Sequence, residues 1–179
     1  MGLLRGNIKT LYFKYLSAAF GSALISSIYG IVDMAMVGQY QGPDGTAALA
    51  VVAPVWNVIY SLGLLMGIGG SVIFSTKRGS GMSADGEDDQ YFTAAVIGSV
   101  ILAALAWVGL ILFERPLLMF FGTDETLLAL AQRYMIPVKV VFPLFLFNQM
   151  LAAFLRNDGA PALATLGVLS GGIFNVFGD

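Results

Sequence analysis

Residues Ile28–Val55 have the sequence IYGIVDMAMVGQYQGPDGTAALAVVAPV. One apolar run ends in it, the polar sequence QYQGPDG follows at Gln39–Gly45, and a second apolar run begins directly afterwards. Adjacent glycine and proline are typical of a turn. The pattern predicts two long apolar helices joined by a turn. Asp33, a carboxylate, lies near the end of the first.

Similar apolar runs fill the rest of the chain. Hydrophobic residues make up 58% of the 179 residues and charged residues only 11%, against about 25% charged in soluble domains. Each run is long enough for a bilayer, which takes roughly 20 helical residues, and continuous apolar runs favour helices over a β-barrel. We therefore predict an all-α membrane protein with five transmembrane helices, at about Leu11–Val37, Thr46–Thr76, Tyr91–Phe113, Thr126–Phe154 and Ala162–Asp179.

Composition also excludes several functions. The chain has no cysteine and no histidine, which excludes disulfides, thiolate or imidazole catalysis and the common zinc sites. A net charge of −2 argues against a nucleic-acid partner. An intramembrane enzyme would have only Asp33 and Asp179 as a catalytic pair, so we do not favour it.

Basic residues predict the orientation. If the five segments alternate, six of the nine Lys and Arg residues fall on the side of the N terminus: Arg5, Lys9, Lys14, Lys77, Arg78 and Arg156. Cytoplasmic loops carry the excess of Lys and Arg. The sequence thus predicts a multi-pass protein of the cell membrane with a cytoplasmic N terminus. We expect the connector at Glu114–Glu125, which mixes charged and apolar residues, to lie along the membrane interface.

Glycine pairs predict close helix packing. Gly63 and Gly67 form one GxxxG pattern, and Gly167 and Gly171 form another. Small residues at this spacing let two membrane helices approach closely.

Three ionisable residues fall within the apolar segments: Asp33, Lys139 and Asp179. Such residues usually mark ion or substrate pathways, although Asp33 is near enough to a helix end to reach outer water instead. Asn175 and Asp179 are four residues apart and share a helix face. With another carboxylate they could hold a cation such as sodium, or a proton. The amides of Asn148 and Gln149 could either join helices or line a cavity.

Several motifs, in order, resemble the N-terminal half of multidrug and toxic compound extrusion (MATE) transporters. Ile28–Val55 is similar to the end of that family's first helix and the start of its second. MGIGGSVIFSTKRGSG resembles the end of the second helix, and NQMLAAFLRNDGAPALAT the link between helices four and five. GGIFNVFGD resembles the fifth helix.

The resemblance implies two six-helix lobes that export small organic substrates in exchange for sodium or protons. Residues 1–179 would then be a truncated N-terminal lobe, without its sixth helix and without the C-terminal lobe as partner. The family's coupling residues match Asp33, Asn175 and Asp179, with a possible sodium there, and Asn148 falls at a polar fourth-helix position. No cofactor beyond the coupling ion is implied. Lys139 lies where the family usually has an apolar residue.

Two other functions stay open. A lipid or polysaccharide flippase of the same superfamily would be expected to carry more basic residues in its cavity than Lys139 alone. A membrane fragment with a purely structural role is the other alternative. The fifth segment ends without a polar exit, and we expect the chain to be the first part of a longer protein.

Overall fold

The chain is helical, with short connections. The computed structural model describes residues 7–80 and 87–178, except for the side chains of Ser22, Ser26, Tyr29, Glu87, Asp88 and residues 172–178. These ranges contain no strand. The helices are α1 (Ile8–Ser80), α2 (Glu87–Leu112), α3 (Glu114–Phe120), α4 (Glu125–Asn157) and α5 (Pro161–Gly178). The predicted all-α class is confirmed.

A bend at Gly42 divides α1 into two helices. Gly42 has φ 65° and ψ −154°, and only glycine adopts such a positive φ without strain. A Cβ placed on Gly45 would lie 3.0 Å from Cγ1 of Val37, although eight residues of straight helix span about 12 Å. The chain therefore turns back between a first arm, residues 8–41, and a second arm, residues 43–80. The turn predicted at Gln39–Gly45 is confirmed.

Three helices of the described residues are long and apolar enough to cross a membrane. Ile8–Ser80, Asp89–Leu112 and Glu125–Asn157 all meet this criterion. A straight helix of the 73 residues of α1 would be about 110 Å long, so its two arms account for two crossings. The 18 residues of α5 extend for about 27 Å. The five predicted segments thus correspond to the two arms, α2, α4 and α5 of a membrane protein.

The core lies between the second arm and α4, and glycines bring the two together. A Cβ on Gly63 would lie 2.8 Å from Cβ of Gln149 and 2.8 Å from the carbonyl oxygen of Leu146. A Cβ on Gly67 would lie 2.8 Å from Cβ of Ala153. The close packing predicted for the first GxxxG pattern is confirmed. From the first contact to the second, the residue numbers increase along both helices, so the second arm and α4 run parallel.

The second GxxxG pattern behaves differently. A Cβ on Gly167 or on Gly171 would meet no atom of the described residues within 4 Å. The prediction that this pair packs closely is wrong for the part of the chain that the structure describes. The spacing gives two glycines one helix face, but it does not determine whether another helix covers that face.

α2 packs against the second arm and runs antiparallel to it. A Cβ on Gly70 would lie 2.8 Å from Cβ of Ala95, and a Cβ on Gly98 would lie 3.0 Å from Sδ of Met66. The bundle therefore has two ends. We call one the Gly42 end, which holds the bend, α3 and the first turns of α4. The other is the Arg156 end, which holds the last turns of the second arm and the turn between α4 and α5.

The connector before α4 forms the short helix α3 and an N-cap. Leu118 of α3 is fully buried. The carboxylate of Asp124 accepts hydrogen bonds from the hydroxyl of Thr126 (2.7 Å) and the backbone N–H of Leu127 (2.8 Å). These two donors hold the pKa of Asp124 below its usual value, and the second satisfies an N–H that the first helical turn leaves unpaired.

Candidate functional site

Asp33 lies in the first arm and is half-buried. It precedes Gln41 by eight residues, which is about 12 Å of helix. Gln41 marks the Gly42 end, because its side chain accepts a hydrogen bond from the hydroxyl of Tyr134 near the start of α4 (3.4 Å). Asp33 is therefore about two turns below that end, and its side chain is neither fully buried nor fully exposed.

The other two residues of the expected site cannot be compared with Asp33 directly. Asn175 belongs to α5, but its side chain is outside the description, and Asp179 is outside the described residues. The shared cation site of Asp33, Asn175 and Asp179 therefore stays a prediction. Among the side chains that the structure describes, no group of three acidic residues is placed to hold a metal ion.

The register between the first arm and α5 can be measured. The hydroxyl of Thr165 donates to the carbonyl oxygen of Ala18 (3.2 Å). Both helices begin at the Arg156 end, so they run parallel from this contact. Equal rise along the two helices brings Gly178, 13 residues after Thr165, level with about Ile31. The end of α5 is thus at nearly the same height as Asp33.

The two amides of α4 differ in burial. Gln149 is 9% exposed and lies against Gly63 of the second arm. Asn148 is exposed, on the same face as Leu144, which is 73% exposed. The two adjacent amides therefore lie in different surroundings. Consecutive residues of a helix point about 100° apart, so one neighbouring helix cannot cover both.

Lys139 pairs with a residue that the sequence analysis did not single out. Its ammonium group donates to both carboxylate oxygens of Glu114, at 2.8 and 3.0 Å. The side chains of Lys139 and Glu114 are 26% and 15% exposed. The ammonium group of Lys139 thus faces a carboxylate rather than lipid. The only hint in the sequence was that Glu114 is a charged residue at the end of an apolar run.

This pair also fixes the height of Lys139. Glu114 follows the end of α2 at Leu112, so Lys139 is level with that end. From Lys139 to Asn157, α4 advances 18 residues, about 27 Å, which is close to the thickness of a hydrocarbon core. The part of α4 that follows Lys139 is therefore long enough by itself to cross a hydrocarbon core. The predicted fourth segment, Thr126–Phe154, agrees with α4 and with its candidate membrane span, both Glu125–Asn157.

Trp107 of α2 donates from Nε1 to the backbone carbonyl oxygen of Lys139 (2.7 Å). In a regular helix this carbonyl accepts from the N–H of the residue four positions later. That residue is Pro143, which has no N–H. The indole therefore satisfies a carbonyl that the proline leaves without its helical partner, as a buried membrane helix requires.

The chain matches known proteins over most of its length. The family model described as MatE matches residues 18–179. The multidrug export protein MepA of Staphylococcus saprophyticus is 24% identical over 158 residues, which is 88% of this chain and 34% of that protein. MepA of Staphylococcus aureus strain MSSA476 is 24% identical over 157 residues, 87% of this chain and 34% of that protein.

The chain thus spans about a third of the length of these relatives. No solved structure shows a significant match to it. The family model covers far more than half of the chain, and the same family was indicated by the motifs around Asp33, Arg156 and Asn175. The chain belongs to the MatE family, the multidrug and toxic compound extrusion transporters.

Proposed function

We propose that this chain forms part of a cation-coupled antiporter of the cell membrane that exports small organic compounds. The single observation that carries the proposal is the half-buried carboxylate of Asp33 within a long apolar arm. A carboxylate within a membrane span is costly, and such residues usually belong to ion or substrate pathways. The names of the relatives, multidrug export proteins, support export as the activity.

The coupling site in this proposal consists of Asp33, Asn175 and Asp179. The height of Gly178 relative to the first arm supports it, because it brings the end of α5 level with Asp33 at the resolution of one helical turn. Carboxylate and amide oxygens suit a hard cation such as sodium. Two carboxylates close together favour either a bound cation or a shared proton. The cation-bound state and the protonated state would each favour a different packing of the helices.

Asn148 belongs to the proposed substrate path. It lies nine residues from both Lys139 and Asn157, about 13 Å from each, so it is halfway across the predicted membrane thickness. An exposed amide at that depth is costly against lipid. We therefore expect its face of α4 to line a polar cavity, closed in the whole transporter by a second lobe outside residues 1–179. Gln149, packed against Gly63, joins helices instead.

The test is substrate efflux by the complete transporter with Asp33→Asn, which keeps the side-chain shape and removes the charge. We expect coupled efflux of a fluorescent cationic dye to be lost while the protein is still inserted at normal levels. Asp44→Asn is the matched control, because Asp44 is an exposed carboxylate beside the Gly42 bend. Normal cation-dependent efflux by the Asp33→Asn protein would refute the coupling role.

The proposed orientation places the Arg156 end in the cytoplasm. It rests on the basic residues at that end, among them Lys77, Arg78 and Arg156. The chain contains no cysteine, so single cysteines can be introduced without background. In intact cells an impermeant thiol reagent should label Asp44→Cys and should not label Ser80→Cys. The reverse labelling would overturn the orientation.

A further inference from the structure

A groove runs between the second arm and α4 at the Arg156 end. It has a volume of about 280 Å³ and is lined by Leu64, Ile68, Val72, Ala153, Arg156 and Asn157. Ile68 and Val72 are 50% and 48% exposed, so the apolar wall is open to the surroundings of the bundle. The close approach of Gly67 to Ala153 gives the groove a floor of small residues.

The polar side chains of the groove differ in whether they have a hydrogen-bond or ion-pair partner. The side-chain amide of Asn157 donates to the hydroxyl of Ser71, which is fully buried. Arg156 is half-buried, and among the side chains that the structure describes it has no carboxylate partner. Arg78 at the same end, by contrast, pairs with Asp158. A partly desolvated guanidinium without a counter-ion favours a bound anion, with which it can form bidentate hydrogen bonds.

The groove is polar at one end and apolar at the other. The contact of Gly67 with Ala153 brings Arg156 level with about Gly70, because the two helices run parallel. Leu64 lies six residues, about 9 Å, farther toward the bundle centre. A free anion would leave this apolar wall uncovered, whereas an amphiphile with an anionic head would cover both parts. Basic pockets between membrane helices are suited to anionic lipid head groups.

We propose that this groove binds one anionic phospholipid, with its phosphate on the guanidinium of Arg156 and an acyl chain along Ile68 and Val72. The proposal requires that the helices cross a membrane, and it does not depend on Asp33 or on cation coupling. Loss of lipid binding and loss of efflux coupling are therefore separate outcomes.

The test is native mass spectrometry of the full chain in detergent, titrated with dioleoylphosphatidylglycerol or dioleoylphosphatidylcholine. We expect one phosphatidylglycerol to bind in preference to phosphatidylcholine. Arg156→Gln should weaken phosphatidylglycerol binding about fivefold, the contribution of one basic residue near an anionic lipid. Arg133→Gln is the matched control, because Arg133 is an exposed arginine of the same helix at the Gly42 end, and it should leave binding unchanged.

A second pair of variants tests the apolar wall should Arg156→Gln fail to fold. Ile68→Ala should weaken phosphatidylglycerol binding severalfold, whereas Ile136→Ala, at a residue of α4 that is 57% exposed, should not. Equal binding by each variant and its control would overturn the proposal. Equal affinity for the two lipids would overturn it as well. Displacement of the lipid by millimolar inorganic phosphate would show a site for free anions instead.

Discussion

The ion pair between Lys139 and Glu114 should contribute measurably to stability, and Glu114→Gln tests it. The substitution leaves the ammonium of Lys139 without a counter-ion on a side chain that is only 26% exposed. Exposed ion pairs contribute about 0–1 kcal/mol, and breaking a fully buried pair costs about 3–5 kcal/mol. For this intermediate burial we expect a loss of about 2 kcal/mol. In a chain of this size that lowers Tm by about 4–8 °C.

The chain contains its own control for this measurement. Arg115 and Glu125 also form an ion pair, with a distance of 2.6 Å, but their side chains are 62% and 66% exposed. Glu125→Gln should therefore cost less than about 1 kcal/mol. Both variants can be compared with the unchanged chain in one detergent, by following helix content in circular dichroism during heating.

The double variant Glu114→Gln with Lys139→Met distinguishes the effect of an unpaired charge on Tm from the effect of changing the side chains themselves. Replacing both charges by neutral side chains of similar size removes the unpaired charge, so its Tm should recover toward that of the unchanged chain. The reasoning is refuted if Glu114→Gln and Glu125→Gln lower Tm equally. It is also refuted if the two changes at Glu114 and Lys139 are simply additive.

Two further predictions concern helix contacts and use the same thermal measurement. Trp107→Phe removes the donor to the Lys139 carbonyl and should lower the free energy of unfolding by about 1–2 kcal/mol. The loss should be much smaller in a Pro143→Ala background, because the added N–H can donate to that carbonyl. An equal loss in both backgrounds would contradict this account. Gly67→Ala should cost about 1–3 kcal/mol, because its Cβ would lie 2.8 Å from Cβ of Ala153. Gly69→Ala is the control, since a Cβ there meets no described atom within 4 Å, and a larger loss for it would show that packing is not the cause.

The parts of the fold that the sequence predicts are those that depend on local backbone chemistry. The bend at Gly42 follows from a glycine and a proline between two apolar runs, since glycine adopts the positive φ and proline can begin a helix. The apolar length of each run predicts the crossings in the same way. These features need no knowledge of which helices are neighbours.

The parts that the sequence does not predict depend on which helix faces meet. Gly63 and Gly67 contact α4, whereas Gly167 and Gly171, with the same spacing, contact no described atom. Helical periodicity assigns residues to a face but does not say what covers it. The same limit explains the candidate site, where the sequence finds Asp33 as an intramembrane carboxylate and cannot measure its distance from α5.

Lys139 shows how the two kinds of information combine. Pro143 alone indicates that the carbonyl of Lys139 lacks its helical donor, and the apolar surroundings indicate that the ammonium needs a partner. The structure supplies the carbonyl with Trp107 of α2 and the ammonium with Glu114 of α3. One residue of α4 is thereby attached to two other elements near the Gly42 end of the bundle. Because each attachment satisfies a group that lipid could not, α2, α3 and α4 should stay together at the Gly42 end whenever the helices of the bundle rearrange.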